Sequence, residues 1–118
     1  MYASIRKYYV IPGTTEEFVR RVQGGFVPLI SQVSGFRAYY VLQVGDDEVI
    51  SVSLFDSQAG AEESVRRAAD WVAKNISSFI QGLPEIAVGH VRIAQLERGQ
   101  TAGREELLRE QRSDALNP

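Results

Sequence analysis

Two apolar stripes at helical spacing, each set between runs rich in aromatic and β-branched residues, fix the order of elements in this chain. Phe18, Val22, Phe26, Leu29, Ile30 and Val33 form the first stripe, and Ala61, Val65, Ala68, Ala69, Val72, Ile76 and Phe79 the second. Recurrence at three and four residues lays such side chains along one side of a helix. Four runs, Ala3 to Ile11, Phe36 to Val44, Glu48 to Phe55 and Ile86 to Leu96, are too β-rich or too short for helices and read as strands. The second and third are separated only by Gly45-Asp46-Asp47, a hairpin signal. The order is βαββαβ. This predicts an α+β, ferredoxin-like domain, an antiparallel four-stranded sheet with two helices on one face.

Boundary residues agree with that order. Thr14 followed by Glu17 has the spacing of a capping box. Gly24, Gly25 and Pro28 interrupt the first helix, where the proline ring crowds the carbonyl of Gly24 and predicts a kink or break. Gly35 is a stop, Asp56 or Ser57 a cap for the second helix, and Gly82 with Pro84 ends the loop after it. Glu62 and Glu63 precede Arg66 and Arg67 by three and four residues, the pattern of ion pairs on an exposed helix surface.

A chain of 118 residues holds one core. We assign residues 1–96 to the domain and 97–118 to a charged C-terminal tail, disordered or weakly helical, because its large apolar residues are only Leu107, Leu108 and Leu116. The formal charge of −2, with cations and acids interspersed, argues against a nucleic-acid partner. The absence of cysteine removes disulfides, thiolate catalysis and Cys-ligated metals, and a single histidine removes a His-rich metal site within one chain. We expect no metal and no cofactor. No apolar run approaches the roughly 20 residues of a membrane span, and the first residues lack an uninterrupted apolar core of a leader. A cytoplasmic protein without a membrane partner is the expectation.

Side chains alternate across a strand, so each strand divides into two sets. The mainly aliphatic set, Ile5, Tyr9, Ile11, Phe36, Ala38, Tyr40, Leu42, Val44, Ile50, Val52, Leu54, Ala87, Val91 and Ile93, is expected under the helices. The other holds Ser4, Arg6, Tyr8, Arg37, Tyr39, Val41, Gln43, Ser51, Ser53, His90 and Arg92. It is polar, aromatic and free of acids, and is expected on the open face. Each Tyr-Tyr pair then sends one ring to each side. Because an open face bearing Tyr8, Val41 and Phe55 leaves apolar surface in water, a homodimer through that face is expected. A cavity between helices and sheet, or between paired sheets, would suit a planar, partly polar organic ligand.

The segments "MYASIRKYYVIPG" and "GFVPLISQVSGFRAYYVLQVGDDEVISVSLFDSQAGAEESVRRAADWV", in βαββαβ order, resemble the antibiotic biosynthesis monooxygenase family of dimeric α+β barrels over roughly residues 1–95. The resemblance implies a cofactor-independent monooxygenase-like protein in which the anion of a small phenolic, quinol or anthrone-type compound reduces O₂ directly. It points to His90 as base, Tyr39 as hydrogen-bond partner and Arg37 as anion stabiliser. Trp71 and Asn75, one turn apart, would wall the cleft, with Arg6, Tyr8, Ser51, Ser53 and Arg92 completing a substrate pocket. The family's haem-degrading branch is the poorer match, since Arg6, Lys7 and Tyr8 occupy the first strand where an Asn is expected and residues 57–79 lack histidine. A non-catalytic small-molecule binding or dimerisation module stays open as the alternative. His90 as a structural residue, Trp71 as core packing, Tyr8 and Tyr39 as interface anchors, and the arginines as partners of carboxylates such as Asp46 or Glu48 stay open beside the functional roles.

Overall fold

The computed structural model describes residues 1–97. Most of the segment read as a tail, residues 98–118, lies outside the described residues. The elements are β1 (Tyr2–Tyr9), α1 (Thr15–Arg21), a π-helical turn (Val22–Phe26), α2 (Val27–Ile30), β2 (Phe36–Val44), β3 (Glu48–Phe55), α3 (Gln58–Asn75), a 3₁₀ turn (Ser77–Phe79) and β4 (Glu85–His90). All neighbouring strands are antiparallel, in the order β2-β3-β1-β4. This is the ferredoxin-like α+β fold that the sequence pattern predicts. No helix among the described residues is long and apolar enough to cross a membrane.

Strands β2 and β3 keep the predicted limits, and Gly45, at φ +64°, closes the hairpin between them. Positive φ of this kind costs glycine little. Strand β4 is shorter than expected and ends at His90; the last rung there is the Val91 N–H donating to the Met1 carbonyl at 2.9 Å. Ser57 caps α3, accepting a hydrogen bond from the Gly60 N–H at 3.1 Å. The Thr14–Glu17 capping box does not form. Thr14 Oγ1 donates to the Ile11 carbonyl instead, at 2.6 Å, and the Glu17 carboxylate is taken by Arg20 and Arg21. Glu63 receives both Arg66 and Arg67, as the spacing implies.

The glycine-proline interruption is a π-helical turn. The Val27 N–H reaches back five residues to the Val22 carbonyl, and Pro28, which has no N–H to give, begins the short α2 beyond it. Phe18, Val22, Phe26 and Ile30, four residues apart, are all buried across this irregularity.

The two sheet faces are exchanged relative to the sequence-based expectation. Ser4, Arg6 and Tyr8 of β1 and Val10 just beyond it, with Val49, Ser51, Ser53 and Phe55 of β3, lie buried beneath the helices. Ile5, Tyr40, Leu42 and Val44 are exposed on the other side. Size decides this arrangement. The buried side of α3 consists of Gly60, Ala61, Ser64 and Ala68, and the long side chains of Arg6, Tyr8 and Tyr39 fill the depth that these small residues leave. At Gly60 an added Cβ would sit 3.0 Å from the Ser34 carbonyl and 3.2 Å from the Phe55 ring, so helix and sheet meet in close contact there. A bulge between Phe36 and Ala38 breaks the alternation of β2. Phe36 thereby joins Phe55 on the helix side, with ring centroids 5.9 Å apart, while Ala38 pairs with Leu54 on the open side.

Candidate functional site

The buried strand face places a cation at its centre. Arg6 is 2% exposed, and no carboxylate among the described residues pairs with it. Its guanidinium lies 5.4 Å from the Phe26 ring centroid; NH1 makes only long contacts, 3.4 Å to Ser4 Oγ and 3.5 Å to the Ser64 carbonyl. Arg6 Nε, Ser51 Oγ and Ser53 Oγ are buried without a hydrogen bond of normal geometry, although the Tyr39 hydroxyl lies near enough to Arg6 and Ser51, and the Tyr8 hydroxyl to Arg6, to interact with them. Each unmade bond of this kind costs about 1–3 kcal/mol, more at a charged group.

Around Arg6 the side chains form two adjoining spaces. The inner chamber lies between helices and sheet and is lined by Arg6, Tyr8, Tyr39, Ser51, Phe26 and Trp71, with apolar side chains closing the rest. Its free volume is about 20 Å³, room for little more than one water-sized group. The outer groove, about 500 Å³, runs between the first helical segments and β2, lined by residues including Val19, Gln23, Val27, Phe36 and Gln43. Val22, Tyr39 and Val41 line both spaces. Phe26 forms the wall between helix and sheet, with ring centroids 5.7 Å from Tyr39 and 5.6 Å from Trp71. Trp71 lies so close to the π-helical turn that a Cβ on Gly25 would come within 2.7 Å of Trp71 Cζ2, so this position takes no side chain without displacing the indole.

Burial raises the Tyr8 hydroxyl above its ordinary pKa of 10.0, with Arg6 pulling the other way. Burial raises Tyr39 likewise; Arg6 again opposes it and Tyr8 adds to it. Both are neutral donors over the physiological range. The chamber therefore presents hydroxyls and one fixed positive charge, and its lining holds no carboxylate and no histidine.

Of the residues singled out in the sequence, the structure brings Arg6, Tyr8, Tyr39, Ser51 and Trp71 together. Ser53 is buried on the same face, opposite Ser4, but off the chamber lining. The remaining four lie elsewhere. Arg37 stands exposed at the β2 bulge and pairs with Asp56 at 2.8 Å, an intrachain partner and not the Asp46 or Glu48 of another subunit. His90 is exposed at the end of β4, stacked on Tyr2 with centroids 4.7 Å apart. Arg92 is exposed beyond that strand. Asn75 turns back on its own helix, its side-chain amide donating to the Trp71 carbonyl at 2.9 Å, and is exposed. Phe26, in the sequence one member of an apolar helical stripe, packs against Arg6, Tyr39 and Trp71 at once. The signal for the buried face was present: Val49 and Phe55 bracket Ser51 and Ser53, and Val10 continues the series Ser4, Arg6, Tyr8, so large apolar side chains hold both ends of the polar row.

An inner chamber and an adjoining outer groove between the helical segments and a four-stranded antiparallel sheet define an α+β, ferredoxin-like domain with an internal pocket. The antibiotic biosynthesis monooxygenase family profile matches residues 1–69, and the chain belongs to that family. No curated protein matches the chain. Solved structures share its fold. A protein of unknown function from Nitrosomonas europaea, NE2512, is 20% identical with a TM-score of 0.69, over 83% of this chain and 95% of that one. A monooxygenase from the gene ActVA-Orf6 of Streptomyces coelicolor, solved in complex with nanaomycin D, is 21% identical with a TM-score of 0.66, over 81% of this chain and 91% of that one. SnoaB of Streptomyces nogalater, a cofactor-independent oxygenase, is 11% identical with a TM-score of 0.63, over 81% and 97% of the two chains.

Proposed function

We propose that this protein is a cofactor-independent monooxygenase-like enzyme acting on a small phenolic, quinol or anthrone-type compound. The observation that carries the reading is the pocket itself, a ligand-sized groove leading to hydroxyls and a buried cation set in apolar walls, in a chain of this family. Such a substrate supplies its own electrons. Its anion reduces O₂, and in the anthrone case a ring CH₂ and O₂ become a carbonyl and water, so the protein has to bind, orient and keep bulk water away. Tyr39, shared by groove and chamber, is assigned the hydrogen bond to the substrate oxygen; Trp71 and Phe26 are assigned the walls that hold the ring.

The proposal includes a homodimer in the cytoplasm, joined through the open sheet face. On that face Ile5, Tyr40, Leu42 and Val44 are exposed, with Lys7, Tyr9, Glu48 and Glu85 at the border, where Lys7 and Glu48 lie 3.5 Å apart and the Tyr9 hydroxyl donates to Glu85 at 2.9 Å. An apolar centre with a polar border is the anatomy of a protein interface. The second reading, a binding module without catalysis, is favoured by one observation: the chamber lining holds no histidine and no carboxylate to act as a base. Oxygen uptake across a panel of dihydroxyaromatics and anthrones, without added metal or flavin, separates the two. Uptake above substrate autoxidation that falls at least tenfold in Tyr39→Phe supports the enzyme; saturable ligand binding with no uptake supports the module.

A further inference from the structure

We infer that the chamber receives its ligand as an anion, one ionised oxygen entering beside Arg6 while the aromatic body of the ligand lies in the outer groove. The inference rests on the reading that these two spaces form the ligand site.

Three features of the structure carry it. A guanidinium that is 2% exposed and has no carboxylate partner among the described residues is a charge without compensation, and a buried ion is tolerated when something of opposite sign completes it. Its Nε–H and the hydroxyls of Ser51 and Ser53 on the same sheet face make no hydrogen bond of normal geometry, and the nearby Tyr8 and Tyr39 hydroxyls interact with Arg6 only at longer range. Donors left unused inside a fold are complementary to an acceptor that arrives from outside. Finally, the chamber admits a group of about one water's volume while the groove beside it holds a ring system. The ligand is thus recognised by a single oxygen at its tip, not by its whole outline.

The same surroundings say how the oxygen comes to be ionised. The groups facing Arg6 are Ser4 and Tyr8 from β1, Ser51 and Ser53 from β3, Tyr39 from β2, the Ser64 carbonyl and Trp71 from α3, and Phe26 from the π-helical turn. None of them is a carboxylate or an imidazole, and Glu63 of α3 is engaged by Arg66 and Arg67 at the surface. The proton therefore leaves to solvent, and Arg6 holds the anion that remains. An opposite charge within contact distance lowers the pKa of an acidic group by about 1–3 units. Weakly acidic phenols and enols would be captured in their reactive form with no catalytic base in the chamber.

The test uses para-nitrophenol, whose phenolate absorbs in the visible, titrated against the purified full-length protein and its Arg6→Met, Arg6→Lys and Lys74→Met variants at a series of pH values. The expected result is that wild type binds the phenolate in preference to the phenol and lowers its pKa by about 1–3 units. Arg6→Lys, which keeps the charge, is expected to retain part of that shift, Arg6→Met to abolish it, and Lys74→Met, which removes an exposed cation, to leave it unchanged. Circular dichroism checks that each variant is folded; should Arg6→Met not fold, Arg6→Gln takes its place. Binding with no change in pKa, preferential binding of the neutral phenol, an equal shift in Arg6→Met or no saturable binding up to millimolar phenol each overturns the inference. Oxygen uptake decides the proposed activity separately, so an active enzyme that binds neutral phenols would refute the anion and leave the function standing.

Discussion

One face of the sheet buries Ser4, Arg6, Tyr8, Ser51 and Ser53, while the other leaves Ile5, Tyr40, Leu42 and Val44 in water. A fold optimised only for the stability of the isolated subunit would do the reverse, since burying an aliphatic side chain contributes about 1.5–3 kcal/mol and an unsatisfied polar group costs about as much. On the proposed reading each face is matched to something outside the chain: a small polar-tipped ligand under the helices, and a second apolar sheet on the open side.

Substitutions that convert one face toward the other test this reading, beginning with the open face. Leu42→Arg places a charge at the centre of the exposed aliphatic patch. With like charges opposed across a two-fold contact costing several kcal/mol, a dimeric mass in light scattering is expected to become monomeric with circular dichroism unchanged. A wild type that is already monomeric at micromolar concentration breaks the comparison on this side.

On the inner face, Arg6→Met is expected to stabilise the fold against urea, because it removes a buried charge that has no carboxylate partner among the described residues and puts apolar bulk in its place. The same substitution is expected to lose anion binding. A destabilised variant would mean that Arg6 supports the core and is not held against it. Gly25→Ala, which forces Trp71 to move, is expected to cost about 1–3 kcal/mol and to shift tryptophan emission, Trp71 being the sole tryptophan of the chain.

Smaller effects come with pH. Tyr8 and Tyr39 have hydroxyl pKa values raised by burial, so their contribution to stability is full below the unfolded value of 10.0 and is lost as pH rises through their folded values. Denaturant midpoints are expected to fall above pH 10 in wild type and less so in Tyr8→Phe. At the other extreme Glu17, held to about 2 by its hydrogen bonds to Arg20 and Arg21, contributes stability that is lost as pH drops from the ordinary carboxylate value of 4.5. Because Glu17 sits at the surface, Glu17→Gln is expected to change the acid limb of the stability curve only slightly.

The order and type of elements were legible because periodicity is local: stripes at helical spacing and alternating runs need no knowledge of what packs on what. Which face of a strand points inward is a non-local matter. Alternation separates Arg6, Tyr8, Ser51 and Ser53 from Ile5, Ile50 and Val52, and the preference for aliphatic cores points these two sets to the wrong sides, because the small buried residues of α3 require large partners beneath them and no strand reveals that on its own. The bulge at Arg37 escapes a strict two-residue period, and because of it Phe36 stays beneath the helices, the side expected for it, while Ala38, Tyr40, Leu42 and Val44 of the same set face outward. His90 attracted attention as the sole histidine, but its chemistry says nothing about position, and the register of β4 against β1 puts it beside Tyr2 at the end of the strand.

The π-helical turn has a consequence for the winding of this segment. In a regular helix a residue four positions on has advanced about 40° past a full turn, so Phe18, Val22, Phe26 and Ile30 would drift around the axis by about a third of a circle. The wider turn at Val22–Phe26 takes up part of that drift and works as a phase correction, which keeps all four on the cavity side. Gly24 touches nothing that a side chain would strike and looks dispensable by contact. Wound instead as a regular α-helix through the same residues, the segment would turn Phe26 away from Arg6, Tyr39 and Trp71 and open the wall between chamber and solvent. Here the winding of one turn, more than the identity of its residues, keeps the cavity closed.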